Sequence, residues 1–157
     1  MNNKPIFILL AFLAMSTTAQ AQSSCNATCM TNIAKQYMSD VVSQDWSKLP
    51  WAQQVRYSEN NVGMMIGDGF WGAGPGTSNA PYMLADEITG NVLWYGITTE
   101  HGQAAYHALR LKISAGRISE VESYLGREGT PDQFAPVDSW KLDASFSSNM
   151  SANSQPA

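Results

Sequence analysis

Four ionisable side chains within one short stretch, His107, Arg110, Glu120 and Glu122, are the chain's best candidates for chemistry. An imidazole beside a carboxylate can pass a proton to and from a bound carbonyl compound, provided both face one water-poor space. His107 with Glu122 or Glu120 is therefore the candidate acid/base set. The other histidine, His101, falls in the Glu100-His101-Gly102 turn and reads as a surface residue. Two histidines and two cysteines assemble neither a Ser-His-Asp set nor a metal cluster, so the chemistry expected is cofactor-free, or none.

The stretch that must position these groups runs from Asn91 to Arg127. It reads as three strands, NVLWYGITTE, AYHALRLKI and ISEVESYLGR, joined by the turns HGQA and SAGR. Which side chains share a face depends on the last hairpin. If Ile113 pairs with Ile118 without interruption, Leu111 opposes Glu120, Leu109 opposes Glu122 and His107 opposes Tyr124. His107 and both carboxylates then stand on one half-apolar face, where partial burial would raise the carboxylate pKa values. A one-residue bulge at Gly116 would instead put Arg110 beside Glu120 as a plain salt bridge.

Upstream, the spacing of Ile33, Tyr37 and Val41, with Met30 and Met38, predicts a helix over Asn26 to Gln44. Asp45-Trp46-Ser47 breaks it, and Lys48-Leu49-Pro50-Trp51-Ala52 reads as a second, shorter helical turn. Tyr37 and Trp51 are placed either to line a cavity under this helix pair or to pack it on a sheet. Val55–Glu59 and Val62–Ile66 read as short strands around an Asn60-Asn61 turn. Gly67-Asp68-Gly69 reads as a tight turn throwing Trp71 inward, followed by a Gly/Pro/Ser-rich loop over 72–80 that is either a lid or a connector. Pro81–Glu87 reads as another strand, and Trp140 as a residue that docks the chain's later part on the domain.

Residues 1–21 have the build of a secretory signal peptide. Lys4 is the positive head, Pro5 to Met15 the apolar run and Ala19-Gln20-Ala21 the cleavage site. The rest reads as one domain over 22–143 and a disordered Ser/Asn-rich tail over 144–157. Cys25 and Cys29 are the only cysteines, and in an exported chain their C-x3-C spacing predicts a disulfide at the helix entry. A formal net charge of −4 carries no basic footprint for nucleic acid, and no second long apolar run would hold the mature chain in a membrane. Five Trp, six Tyr and eight Met supply adaptable apolar walls, which favours a ligand cavity. Asn26-Ala27-Thr28 and Asn149-Met150-Ser151 fit the glycosylation sequon.

Helix, short helix, two strands, aromatic loop and antiparallel meander is an α+β order. It resembles the cone-shaped fold of the nuclear transport factor two-like superfamily, which includes polyketide-cyclase-like proteins and ketosteroid isomerases. More closely it is similar to a secreted family of unassigned function in that superfamily. The match rests on C-x3-C, Lys48-Leu49-Pro50-Trp51-Ala52, Arg56-Tyr57-Ser58-Glu59-Asn60, Gly67-Asp68-Gly69-Phe70-Trp71, Arg110-Leu111-Lys112 and Gly116-Arg117-Ile118-Ser119-Glu120-Val121-Glu122. The resemblance implies N-terminal helices on a curved antiparallel sheet, with an acid or histidine in the cone. Where the cyclase-like enzymes carry an Asp near the end of the last strand, this chain has Ser123. It also implies sheets that pair back to back, hence a homodimer through the sheet.

Two functions follow as expectations. The first is a secreted or periplasmic pocket protein that binds a small, largely apolar molecule, with Tyr37, Trp51, Trp71, Tyr95, Leu109 and Tyr124 as walls. The second is a cofactor-independent isomerase, dehydratase or cyclase acting through His107, Glu122 and Glu120.

Overall fold

The computed structural model describes residues 25–73, 76 and 82–127. The signal-peptide reading, the Ser/Asn-rich tail, most of the 72–80 loop, Trp140 and the Asn149 sequon lie outside the described residues.

One helix packs on a curved six-stranded sheet, an α+β layout. Helix α1 (Ala27–Ser43) starts where Asn26 caps it, the Asn26 Oδ1 accepting the Cys29 N–H at 3.0 Å. Glu87 accepts the Ala27 N–H at 2.6 Å and so ties the helix start to the sheet. Gln44 ends the helix in the left-handed conformation. The expected stripe is the buried one: Met30, Ile33, Tyr37, Met38 and Val41, with Ala34. Cys25 and Cys29 form the expected disulfide, their Cα atoms 5.3 Å apart. A bridge closing so small a loop anchors the helix entry and adds little global stability.

The second helical turn, expected over Lys48–Ala52, is displaced. A 3-10 turn forms at Trp46–Lys48, on the residues expected to break the helix, because Asp45 accepts from the Ser47 N–H and hydroxyl. Pro50 has no N–H to continue a helix, and the chain is already extended at Trp51.

The strands are β1 (Trp51–Glu59), β2 (Val62–Met64), β3 (Tyr82–Asp86), β4 (Asn91–Glu100), β5 (Gln103–Ser114) and β6 (Arg117–Arg127). Their order across the sheet is β2-β1-β6-β5-β4-β3. β3 to β6 are the expected antiparallel meander, but β1 lies parallel to β6, so the sheet is mixed and not antiparallel throughout. Asn60-Asn61, His101-Gly102 and Ala115-Gly116 all have positive φ at both positions, which matches the twist of two-residue hairpins.

The last hairpin carries a bulge. Ile113 pairs with Ile118, yet Lys112 pairs with Glu120, so Ser119 is the extra residue. From there Leu111 opposes Val121, Arg110 opposes Glu122, Leu109 opposes Ser123 and His107 opposes Leu125. The uninterrupted register is therefore overturned. The bulge sits at Ser119 and not at Gly116, but its consequence for Arg110 is the one expected of a bulge.

Candidate functional site

The bulge decides which residues meet. Side chains alternate along a strand, so a one-residue slip exchanges the faces of everything beyond it. His107 is fully buried on the inner face, against the core under α1. Glu120 and Glu122 stand on the outer face, away from it. Arg110 lies between them, donating to Glu120 at 2.8 Å and to Glu122 at 2.9 Å, while Arg56 donates to Glu120 at 2.8 Å. These hydrogen bonds hold both carboxyls below their ordinary range, the reverse of the rise expected from burial. The His107–Glu122 and His107–Glu120 pairs are not formed.

The expected walls divide in the same way. Tyr37, Trp51 and Trp71 come together, with ring centroids 5.4 Å apart for Tyr37–Trp71 and 6.3 Å for Tyr37–Trp51. The Tyr37 hydroxyl accepts the Trp71 indole N–H at 2.8 Å, and burial pushes the phenol's pKa well above its ordinary value. Leu109 is buried on the same side. Tyr95 and Tyr124 belong to the outer face, and Tyr124 is 45% exposed.

Around His107 the inner face is aromatic and polar at once. Phe70 and Trp94 meet the imidazole edge-on at 4.6 and 5.4 Å between centroids. Nε2 lies 2.8 Å from the Ser123 hydroxyl, and Nδ1, though buried, has no partner among the described residues. Burial, with the Arg127 charge second, pushes the pKa down to about 3, so the ring is neutral near pH 7. Thr98 is fully buried, and its hydroxyl is likewise without a partner among the described residues. Because Gly96 opposes His107 on β4, Thr98 and Trp94 are its two diagonal inner-face neighbours on that strand.

A carboxylate does reach this face, from β1. Glu59 is 5% exposed. It accepts the Phe70 N–H at 2.7 Å, the Tyr57 hydroxyl at 3.3 Å and an Arg127 N–H at 2.9 Å. Arg127 also holds both oxygens of Glu100, which keeps the Glu100 carboxyl below its ordinary range. Gly69 makes the turn over Glu59 feasible: a Cβ there would stand 2.5 Å from the Glu59 Oε2. This turn is the one expected at Gly67-Asp68-Gly69, and Trp71 is buried as expected.

Glu59, Thr98, Ser123 and Arg127 were not among the sequence candidates for the site. Alternation from Val55 through Tyr57 could have signalled Glu59 as inner-facing. Nothing in the sequence pairs it with Arg127.

No protein-family model matches the chain, and no curated protein is significantly similar to it. Solved structures do resemble it. A candidate ketosteroid isomerase from Kribbella flavida superposes with a TM-score of 0.51 at 13% identity, covering 74% of this chain and 92% of that one. AclR, a candidate hydroxylase from Streptomyces galilaeus, gives 0.52 at 11% identity, covering 66% and 82%. The fold is nuclear transport factor two-like. A protein of unknown function with a cystatin-like fold from Methylobium petroleophilum gives 0.50 at 13% identity, covering 85% and 99%. At these identities the likeness is one of fold.

Proposed function

We propose that this chain is an exported protein that binds a small, largely apolar molecule on the inner face of its nuclear transport factor two-like sheet. The observation that supports this most is that two inner-face atoms, His107 Nδ1 and Thr98 Oγ1, are buried among aromatic and aliphatic side chains without a partner among the described residues. A buried polar atom left unpaired costs about 1–3 kcal/mol. A bound molecule that offers one polar group to this corner and apolar surface to Phe70 and Trp94 removes that cost. The Cys25–Cys29 disulfide suits an oxidising compartment, and no described helix is long and apolar enough to cross a membrane.

Catalysis as a cofactor-free isomerase, dehydratase or cyclase is the second reading, and Glu59 is what favours it. Like Glu100 on β4, it shares a face with His107, and it stands opposite Ser123 across β1 and β6. Three donors already occupy its oxygens, which leaves binding as the better-supported reading.

A thermal-shift screen of neutral apolar compounds separates these readings from a purely structural role. Hits that raise the melting temperature of the wild type but not of Thr98→Val or His107→Phe support the inner site. A broad screen with no hit, or hits that both variants retain, counts against it. Turnover of a hit, abolished in Glu59→Gln, would establish the catalytic reading. N-terminal sequencing of the mature protein tests export, with Gln22 as the expected first residue.

A further inference from the structure

The outer face carries a second constellation, independent of the inner one. Leu93, Arg110, Glu122 and Ser58 stand side by side across β4, β5, β6 and β1, and in the adjoining row Ala108 opposes Tyr124. With Asn61 these residues enclose a surface cavity of about 240 Å³. Its floor is apolar and low, because Ala108 is small and Leu93 half-buried. The rim is polar, and several of its groups are open to a ligand. The Tyr124 and Ser58 hydroxyls and the Asn61 amide have no side-chain hydrogen bond among the described residues. Glu122 gives one oxygen to Arg110, and the other has no partner among the described residues.

Charge and size narrow what this cavity accepts. Arg56 and Arg110 are matched by Glu120 and Glu122 in one connected network, so the site has no net charge with which to select an ion. Arg110 is held in place: each of its three nitrogens donates a hydrogen bond, to Glu122, Asn91 and Glu120. The volume lies below the roughly 300–1,000 Å³ of drug-sized pockets, which leaves room for one ring. Hydroxyl, amide and carboxylate groups around an apolar floor suit a ring with alternating hydroxyls and C–H faces. The negative face of the Tyr124 ring attracts the polarised C–H groups.

We propose that the outer face binds an uncharged polyhydroxylated ring, a single monosaccharide unit, over Ala108 and against Tyr124. The test is an amide NMR titration of the full chain with glucose, galactose and N-acetylglucosamine, with cyclohexanol and inorganic phosphate as controls. At least one sugar is expected to shift the Ala108, Asn61 and Tyr124 amides with a dissociation constant in the millimolar range. Tyr124→Ala and Ser58→Ala, both outer-face substitutions, are each expected to weaken binding about tenfold at an unchanged melting temperature. The proposal is overturned if no sugar shifts these amides, if both variants bind like the wild type, or if cyclohexanol or phosphate does as well as the sugars. Shifts that follow protein concentration instead of sugar would mark a copy-to-copy interface and overturn it too.

Discussion

His107 on β5 and Ser123 on β6 are not opposite one another, yet Nε2 and Oγ lie 2.8 Å apart. Glu122, one residue before Ser123, points the other way and pairs with Arg110. That exchange moves the site from an acid/base pair on one hairpin to a neutral corner of the core.

The His107–Ser123 contact has a direct consequence for stability. Ser123→Ala leaves both imidazole nitrogens buried without a partner among the described residues, and a loss of about 1–3 kcal/mol is expected in urea unfolding. A loss within the noise of the measurement would mean that Nε2 finds other partners.

The depressed pKa of His107 sets a pH dependence whose sign is unusual for a histidine. Its folded value, about 3, lies below the unfolded value of about 6.5, so between them the unfolded chain binds the extra proton. The stabilisation is complete above the unfolded pKa and is lost as pH falls from there. Between roughly pH 6.5 and the carboxylate range the slope should approach about 1.4 kcal/mol per pH unit. His107→Gln should flatten that window. A wild type whose stability is level across it contradicts the burial of a neutral imidazole.

The hairpin also shows how far sequence reasoning carries. The bounds of α1, the meander, the disulfide and the inward Trp71 were legible because each has a local signal: a cap, an apolar period, a cysteine spacing, a glycine turn. The bulge was not. Ser119 is an ordinary residue in an alternating run, and its insertion shows only where Lys112 pairs with Glu120. One residue then carried Glu120, Glu122 and Tyr124 to the far face. Glu59 and Arg127 meet across 68 positions, a relation that only the β1–β6 pairing creates.

Those two residues give the third prediction. Arg127→Met strands Glu59 and Glu100 together at the end of the sheet. Removing one partner of a buried pair costs about 3–5 kcal/mol, and the low end applies because the Arg127 side chain is about a third exposed. Glu59→Gln, which keeps an acceptor for the Phe70 N–H, should cost less. Equal losses would mean that the carboxylate charge, and not its hydrogen bonding, holds the turn.

Glu120 and Glu122 provide the opposite case. Each is a surface partner of Arg110, so Glu122→Gln should change stability by under about 1 kcal/mol and leave any inner-face ligand's affinity unchanged. A Glu122→Gln variant that loses affinity for an apolar ligand would put the binding site on the outer face.

Binding on the inner face requires a molecule seated beside His107 and Thr98. Native mass spectrometry of the protein purified from its own producing host tests it most directly. Wild-type ions heavier than the polypeptide by one small molecule are expected, and bare ions for His107→Phe. Bare polypeptide masses for wild type and variant alike, or an adduct that His107→Phe retains, would contradict it.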